Sequence, residues 1–143
     1  MQRVAVVLNV LSLVIMVFSA AMLVPLGVAI WYHDAAIYAY DEAFAITLIC
    51  GIALWLATRR SRSELQIRDG FLLVTLVWSV LPAFAALPLM VFMPQMSFTD
   101  AYFESMAGLT TTGSTVLSNL DSLPRSINMW RGLLQWLGGM GII

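Results

Sequence analysis

Residues 98–116 read FTDAYFESMAGLTTTGSTV. Ser97-Phe98-Thr99-Asp100 has the Ser/Thr-x-x-Asp/Glu spacing that opens many helices. Phe98 to Leu109, if helical, is about 18 Å long, too short for the roughly 30 Å hydrocarbon core of a bilayer. Thr110-Thr111-Thr112-Gly113-Ser114-Thr115 follows, a polar run inside an apolar chain. Its side chains are small hydroxyls, and Gly113 lets the backbone turn where a Cβ would hinder it. Irregular backbone at membrane depth is tolerated only when buried in protein or lining water. The pattern predicts a short helix that enters the membrane and a re-entrant loop whose carbonyl oxygens face a permeating cation. The helix would aim its partly negative C-terminus inward, which favours a cation. The competing arrangement is an amphipathic helix on the outer surface followed by an ordinary loop.

Composition supports a membrane setting. The 143 residues are 61% apolar and 10% charged, and the mean hydropathy is +0.90. Soluble domains carry about 25% charged residues. The net charge is −1 and lysine is absent. With no basic patch, nucleic acid is not an expected partner. The single cysteine, Cys50, lies in an apolar segment and reads as a helix-packing residue. The lipid bilayer is the first partner implied.

Three long apolar segments precede the short helix. Val4 to Tyr32 carries no charge and exceeds the core thickness, with Pro25-Leu26-Gly27 predicted to break it. It is too long and continuous for the apolar part of a cleaved signal, despite Ser19-Ala20-Ala21. Ala43 to Thr58 is a second span, which Tyr38 and Tyr40 extend at the interface. Gly70 to Met93 is a third, with kinks expected at Pro82 and Pro88. Arg59, Arg60, Arg62 and Arg68 fall between the second and third spans, whereas Asp34, Asp41 and Glu42 fall between the first and second. The excess of arginine places its loop, Arg3 and the N-terminus in the cytoplasm. Arg68 and Asp69 then anchor the third span at the membrane surface. Arg125 and Arg131 land on the outer side and weigh mildly against this orientation.

Glu104 lies about two turns before Gly113. An intramembrane carboxylate is costly and usually functional. Here a hydrogen-bonding role that holds the short helix is favoured over direct ion coordination. Asp100 reads as a helix-start residue and His33 as an interfacial side chain. No histidine or cysteine cluster completes a metal site, and no nucleophile–base pair suggests an enzyme. After Pro124, Ile127 to Ile143 reads as a membrane helix, with Gly132, Gly138, Gly139 and Gly141 offering small surfaces for close helix contact. It covers about half the hydrocarbon thickness beyond Gly132 and is expected to be truncated.

Three motifs in order carry a family resemblance. Arg68-Asp69-Gly70-Phe71-Leu72-Leu73-Val74, with Trp78 and Ala86-Leu87-Pro88, resembles the first repeat helix of the Trk/Ktr/HKT potassium transporter superfamily. Phe98 to Ser105 and Gly108 to Thr115 resemble that family's first pore helix and filter. Trp130 to Ile143 is similar to the start of the following helix. The likeness is strongest to the bacterial TrkH/TrkG-like membrane subunits, whose extra N-terminal helix pair the first two spans match in pattern.

The resemblance implies an all-α membrane protein. Residues 1–58 would form the N-terminal helix pair, 59–69 a cytoplasmic arginine-rich loop, and 70–143 the first membrane-pore-membrane repeat, incomplete at its end. Backbone oxygens at Thr111, Thr112 and Gly113 would face potassium, the transported ion, with Thr110, Ser114 and Glu104 in support. No cofactor is implied. The expected role is one of four filter loops in a potassium uptake protein of the bacterial inner membrane, of which this chain is the N-terminal part. The implied partners are the remaining repeats, a second copy of the full-length protein, and a cytoplasmic nucleotide-binding TrkA-like regulatory subunit. Two alternatives stand beside it: a self-contained homotetrameric potassium channel, and a non-transporting membrane scaffold.

Overall fold

The computed structural model describes residues 2–61 and 63–142, the side chain of Ile142 excepted. Arg62 of the arginine loop and Ile143 lie outside the described residues. The first apolar run forms α1 (Gln2–Ala21) and α2 (Leu23–Trp31), parted by a turn at Met22. The break falls upstream of the expected Pro25–Gly27. Proline crowds the carbonyl four residues back and cannot donate to it. That carbonyl belongs to Ala21, the last residue of α1.

The second run is α3 (Ile37–Thr58), which starts at Ile37 rather than Ala43. Tyr40 is therefore no interfacial residue: it is fully buried, and its hydroxyl donates to the Ser126 carbonyl at 2.9 Å. Asp41 and Glu42 stay exposed on the first turns of α3 rather than in a loop. The third run forms α4 (Ile67–Ala85) and α5 (Leu87–Phe92), parted at Ala86. The Asp69 carboxylate accepts the Gln66 backbone N–H at 2.9 Å. This reciprocal cap starts α4 at Ile67, three residues ahead of Gly70. Pro82 stays inside α4, and Pro88 sits at the start of α5.

The short helix α6 spans Phe98–Leu109, as the sequence predicts. Ser97 caps it, its hydroxyl oxygen accepting the Asp100 N–H at 3.2 Å. A single 3-10 turn, Leu120–Ser122, leads to α7 (Arg125–Ile142).

Three runs are long and apolar enough to cross a membrane: Gln2–Trp31, Ile37–Thr58 and Ile67–Phe92. Only 33%, 22% and 17% of their most apolar windows are buried inside the protein. Val17, Trp31, Ile49, Ile67 and Phe71 are among the large apolar side chains left exposed. So much outward apolar surface needs hydrocarbon or further protein to cover it. Three small polar residues inside the spans are satisfied locally. Ser12, Ser19 and Thr47 are buried, and their hydroxyls donate to carbonyls three or four residues back. Gly51 lets α3 approach α1, where a Cβ would lie 2.7 Å from Met16 Cγ.

Trp130 of α7 joins the helices. It is fully buried, and its ring lies 5.8 Å from Phe18 in a tilted geometry and 6.2 Å from Tyr40 edge-on. Its Nε1–H donates to the Ala85 carbonyl at 3.1 Å, where α4 breaks. At its N-terminal start, α7 is held by Asp34. One carboxylate oxygen accepts both the Ser126 N–H at 3.2 Å and the Ser126 hydroxyl at 2.8 Å. The arrangement caps a helix from 92 residues away in sequence. Arg125 stacks over the Tyr32 ring at 4.5 Å. The connection between α2 and α3 thus holds the N-terminal end of α7.

Candidate functional site

The threonine run forms the C-terminal closure of α6. The Thr112 N–H donates to the Ala107 carbonyl at 3.0 Å, and the Thr111 N–H to the Gly108 carbonyl at 3.0 Å. This 6→1 and 5→2 pairing is a Schellman closure. Such a closure needs a left-handed residue, usually glycine. Here Thr111 takes that place, with φ +58°. A β-branched residue in this region is an outlier. Its cost is on the order of 1–3 kcal/mol, and such strain clusters at functional sites. Gly113 follows with φ +75°. The sequence points to a turn at Gly113; the chain also turns left-handed at Thr111, two residues earlier.

Hydroxyls brace the turn. Thr110 Oγ1 donates to the Met106 carbonyl at 2.7 Å and lies 2.9 Å from Thr112 Oγ1. Residues Thr110 to Val116 are exposed, Ser114 among them, and no regular secondary structure intervenes before Leu120.

Glu104 lies beneath this segment. Its side chain is 2% exposed. The Thr115 hydroxyl donates to the carboxylate, 3.0 and 2.9 Å from its two oxygens. The Val116 N–H donates to Oε2 at 3.1 Å. Arg131 Nε donates to Oε1 at 2.7 Å. One carboxylate therefore ties α6, the extended segment and α7 together. Charge-assisted bonds of this kind are short and strong. Thr115 Oγ1 in turn accepts the Leu117 N–H at 3.0 Å.

Arg131 is what sequence reasoning missed, having weighed it only as a charge bearing on orientation. An arginine within an apolar helix needs a partner, and Glu104 was a buried-carboxylate candidate in the same chain. Pairing the two required only that signal. Asp34 and Ser126 gave none, because their contact depends on how distant helices meet.

The glycines of α7 divide sharply. Gly132 and Gly141 have nothing within 4 Å of a built Cβ, and at Gly139 the nearest atom is Thr111 Cγ2 at 3.8 Å. Gly138 alone among the four makes a close approach, packing against the Leu109 carbonyl. On the facing helix, a Cβ at Gly108 would meet Leu134 Cβ at 3.1 Å. Among the described residues no group of His, Cys, Asp and Glu is placed to hold a metal ion.

Residues 37–143 match the family model described as TrkH, cation transport protein. The chain is 46% identical over 136 residues to the Trk system potassium uptake protein TrkH of Escherichia coli (strain K12), covering 94% of this chain and 28% of that relative. It is 39% identical over 143 residues to the Trk system potassium uptake protein TrkI of Halomonas elongata, covering all of this chain and 29% of TrkI. The crystal structure of the potassium transporter TrkH from Vibrio parahaemolyticus superposes with a TM-score of 0.90 at 44% identity, over 96% of this chain and 30% of that one. The chain thus spans under a third of the length of the relatives it matches. With a family model matching about three quarters of its length and helices that superpose on a solved member, the chain belongs to the TrkH family of cation transport proteins.

Proposed function

We propose that this chain contributes one filter loop to a potassium uptake transporter of the bacterial inner membrane. In this proposal α6 is a pore helix entered from outside, and Thr110 to Ser114 form the filter turn. Backbone oxygens at Thr111, Thr112 and Gly113 replace part of the hydration shell of potassium. Residues 1–58 are an N-terminal helix pair, 59–69 a cytoplasmic loop, and 70–143 the first of four repeats. The N-terminus lies in the cytoplasm, as the arginine excess of residues 59–68 favours. The remaining repeats, a second copy of the full-length protein and a TrkA-like nucleotide-binding subunit are its partners.

The observation that carries the proposal is the buried Glu104 carboxylate bonded to Thr115, Val116 and Arg131. A surface loop after an amphipathic helix needs no such anchor. An intramembrane loop does, because its polar backbone must be held against one helix and braced by the next. The carboxylate is spent on these bonds, so Glu104 serves as a brace and the backbone is left to meet the ion. The C-terminal end of α6 adds partial negative charge beside the turn.

The test is a chimera in which this chain replaces the matched 28% of E. coli TrkH, in cells without other potassium uptake systems. Gly113→Ser should lower the preference for potassium over sodium by about tenfold, which needs only about 1.4 kcal/mol of differential binding. Unchanged preference at matched membrane level would remove Gly113 from the ion path.

A further inference from the structure

Gly138 sits where α7 crosses the end of α6. A Cβ built there would lie 2.6 Å from the carbonyl carbon of Leu109 and 2.9 Å from its Cα, and closer still to its oxygen. Carbon atoms in contact are normally about 3.5–4.0 Å apart. The obstacle is backbone, so no side-chain rotation relieves it. Leu109 is the last residue of α6 and directly precedes Thr110. The strained Thr111 follows within two residues.

From this geometry we infer that Gly138 is a positioning residue for the filter turn: its missing Cβ sets how far the end of α6 penetrates, and so where Thr110 to Gly113 stand. The inference rests on the proposed filter. The α6–α7 contact is graded. Gly138 admits backbone to backbone, whereas at Gly108 an added Cβ would meet a side-chain atom, Leu134 Cβ, at 3.1 Å. Gly132 and Gly141, on the same helix, are open and carry no such role.

Leu109 also lines an apolar cavity of about 250 Å³, together with Phe18, Trp78, Leu137 and Gly138. The end of α6 thus borders open space beside its contact with α7 and is not packed solid on every side. An added Cβ should therefore register in the geometry of the turn before it registers in folding. A methyl group in a filled core would instead register as overpacking.

The experiment uses the transport chimera in a Cys50→Ser background, with two readouts. The first is the rate at which Ser114→Cys reacts with an impermeant thiol reagent, which reports the turn's placement without transport. The second is potassium over sodium preference. Gly138→Ala should change the reaction rate at least about threefold and lower the preference about fivefold, a factor equivalent to about 1 kcal/mol. Gly108→Ala should act in the same direction but less, and Gly132→Ala and Gly141→Ala should match the parent. If Gly138→Ala fails to reach the membrane, Gly108→Ala decides, and its having neither effect overturns the inference. An unchanged reaction rate in Gly138→Ala overturns it outright. A changed rate with unchanged preference overturns the role in specificity when Gly113→Ser does lower preference. If Gly113→Ser is also silent, the proposed filter fails and the positioning of the turn stands.

Discussion

Replacing Glu104 should uncouple three elements at once. The carboxylate is 2% exposed and its partner Arg131 is 17% exposed. In Glu104→Ala, the Val116 N–H loses its acceptor, a cost of about 1–3 kcal/mol if it stays buried. Thr115 is exposed as a residue, so its hydroxyl can rotate away from the vacated site toward water at little cost. Arg131 keeps its charge without a counter-ion. Breaking a buried pair from one side typically costs about 3–5 kcal/mol, and the partial exposure of Arg131 places this site at the lower end. Glu104→Ala should therefore destabilise the chimera by about 3–4 kcal/mol. Glu104→Gln keeps the shape and one acceptor, and should cost about half as much. Removing both charges should hurt less than the two changes summed. The assay is equilibrium unfolding in detergent of Glu104→Gln, Arg131→Gln and the double variant, with potassium preference measured alongside. A coupling of about 1–3 kcal/mol is expected for residues in one network. Additivity within about 0.5 kcal/mol, or a neutral Glu104→Ala, would refute the brace.

Thr111 carries a left-handed backbone that glycine adopts freely. Thr111→Gly should leave stability unchanged or raise it by up to about 1 kcal/mol, since relief of the strain outweighs glycine's entropic cost. Thr112→Gly, outside that region, should lose stability, and equal losses at both positions in thermal unfolding would contradict the assignment. Orientation is checked by labelling in intact cells in the Cys50→Ser background. Ala35, exposed in the turn between α2 and α3, is the position to use on one side. Ala35→Cys should react with an impermeant reagent and Ser63→Cys should not, and the reverse pattern would invert the topology.

Composition and local pattern settled the helical elements. Charge-free apolar runs longer than the bilayer core have few fates besides spanning it, because unsatisfied backbone is too costly in hydrocarbon. The bounds of α6 were legible for a local reason: Ser97 caps within its own turn, and the apolar pattern stops at Leu109. Helix breaks were less legible. Proline acts on the carbonyl four residues upstream, so the break after Ala21 does not coincide with Pro25 itself. The early start of α3 was hidden for another reason: Asp41 and Glu42 look like a loop in sequence, yet they lie on the exposed face of a helix whose opposite face buries Tyr40.

Glu104 and the threonine run could be singled out from the sequence because a carboxylate and a hydroxyl-rich turn are conspicuous among apolar residues. What they do to one another depends on where α7 runs. Tertiary structure alone brought Arg131 to Glu104 across 27 residues, and Asp34 to Ser126 across 92. It also distinguished Gly138 from Gly132, Gly139 and Gly141, which are chemically identical in sequence. A glycine's role lies in what occupies the space its Cβ would take, and that is set by the helix opposite. The sequence alone determined which segments are long and apolar enough to cross a membrane and which turn is unusual, because both follow from local chemistry. The bracing of that turn is a property of helix crossing, fixed by the burial of Trp130 among α1, α3 and α4, and it has no local signature.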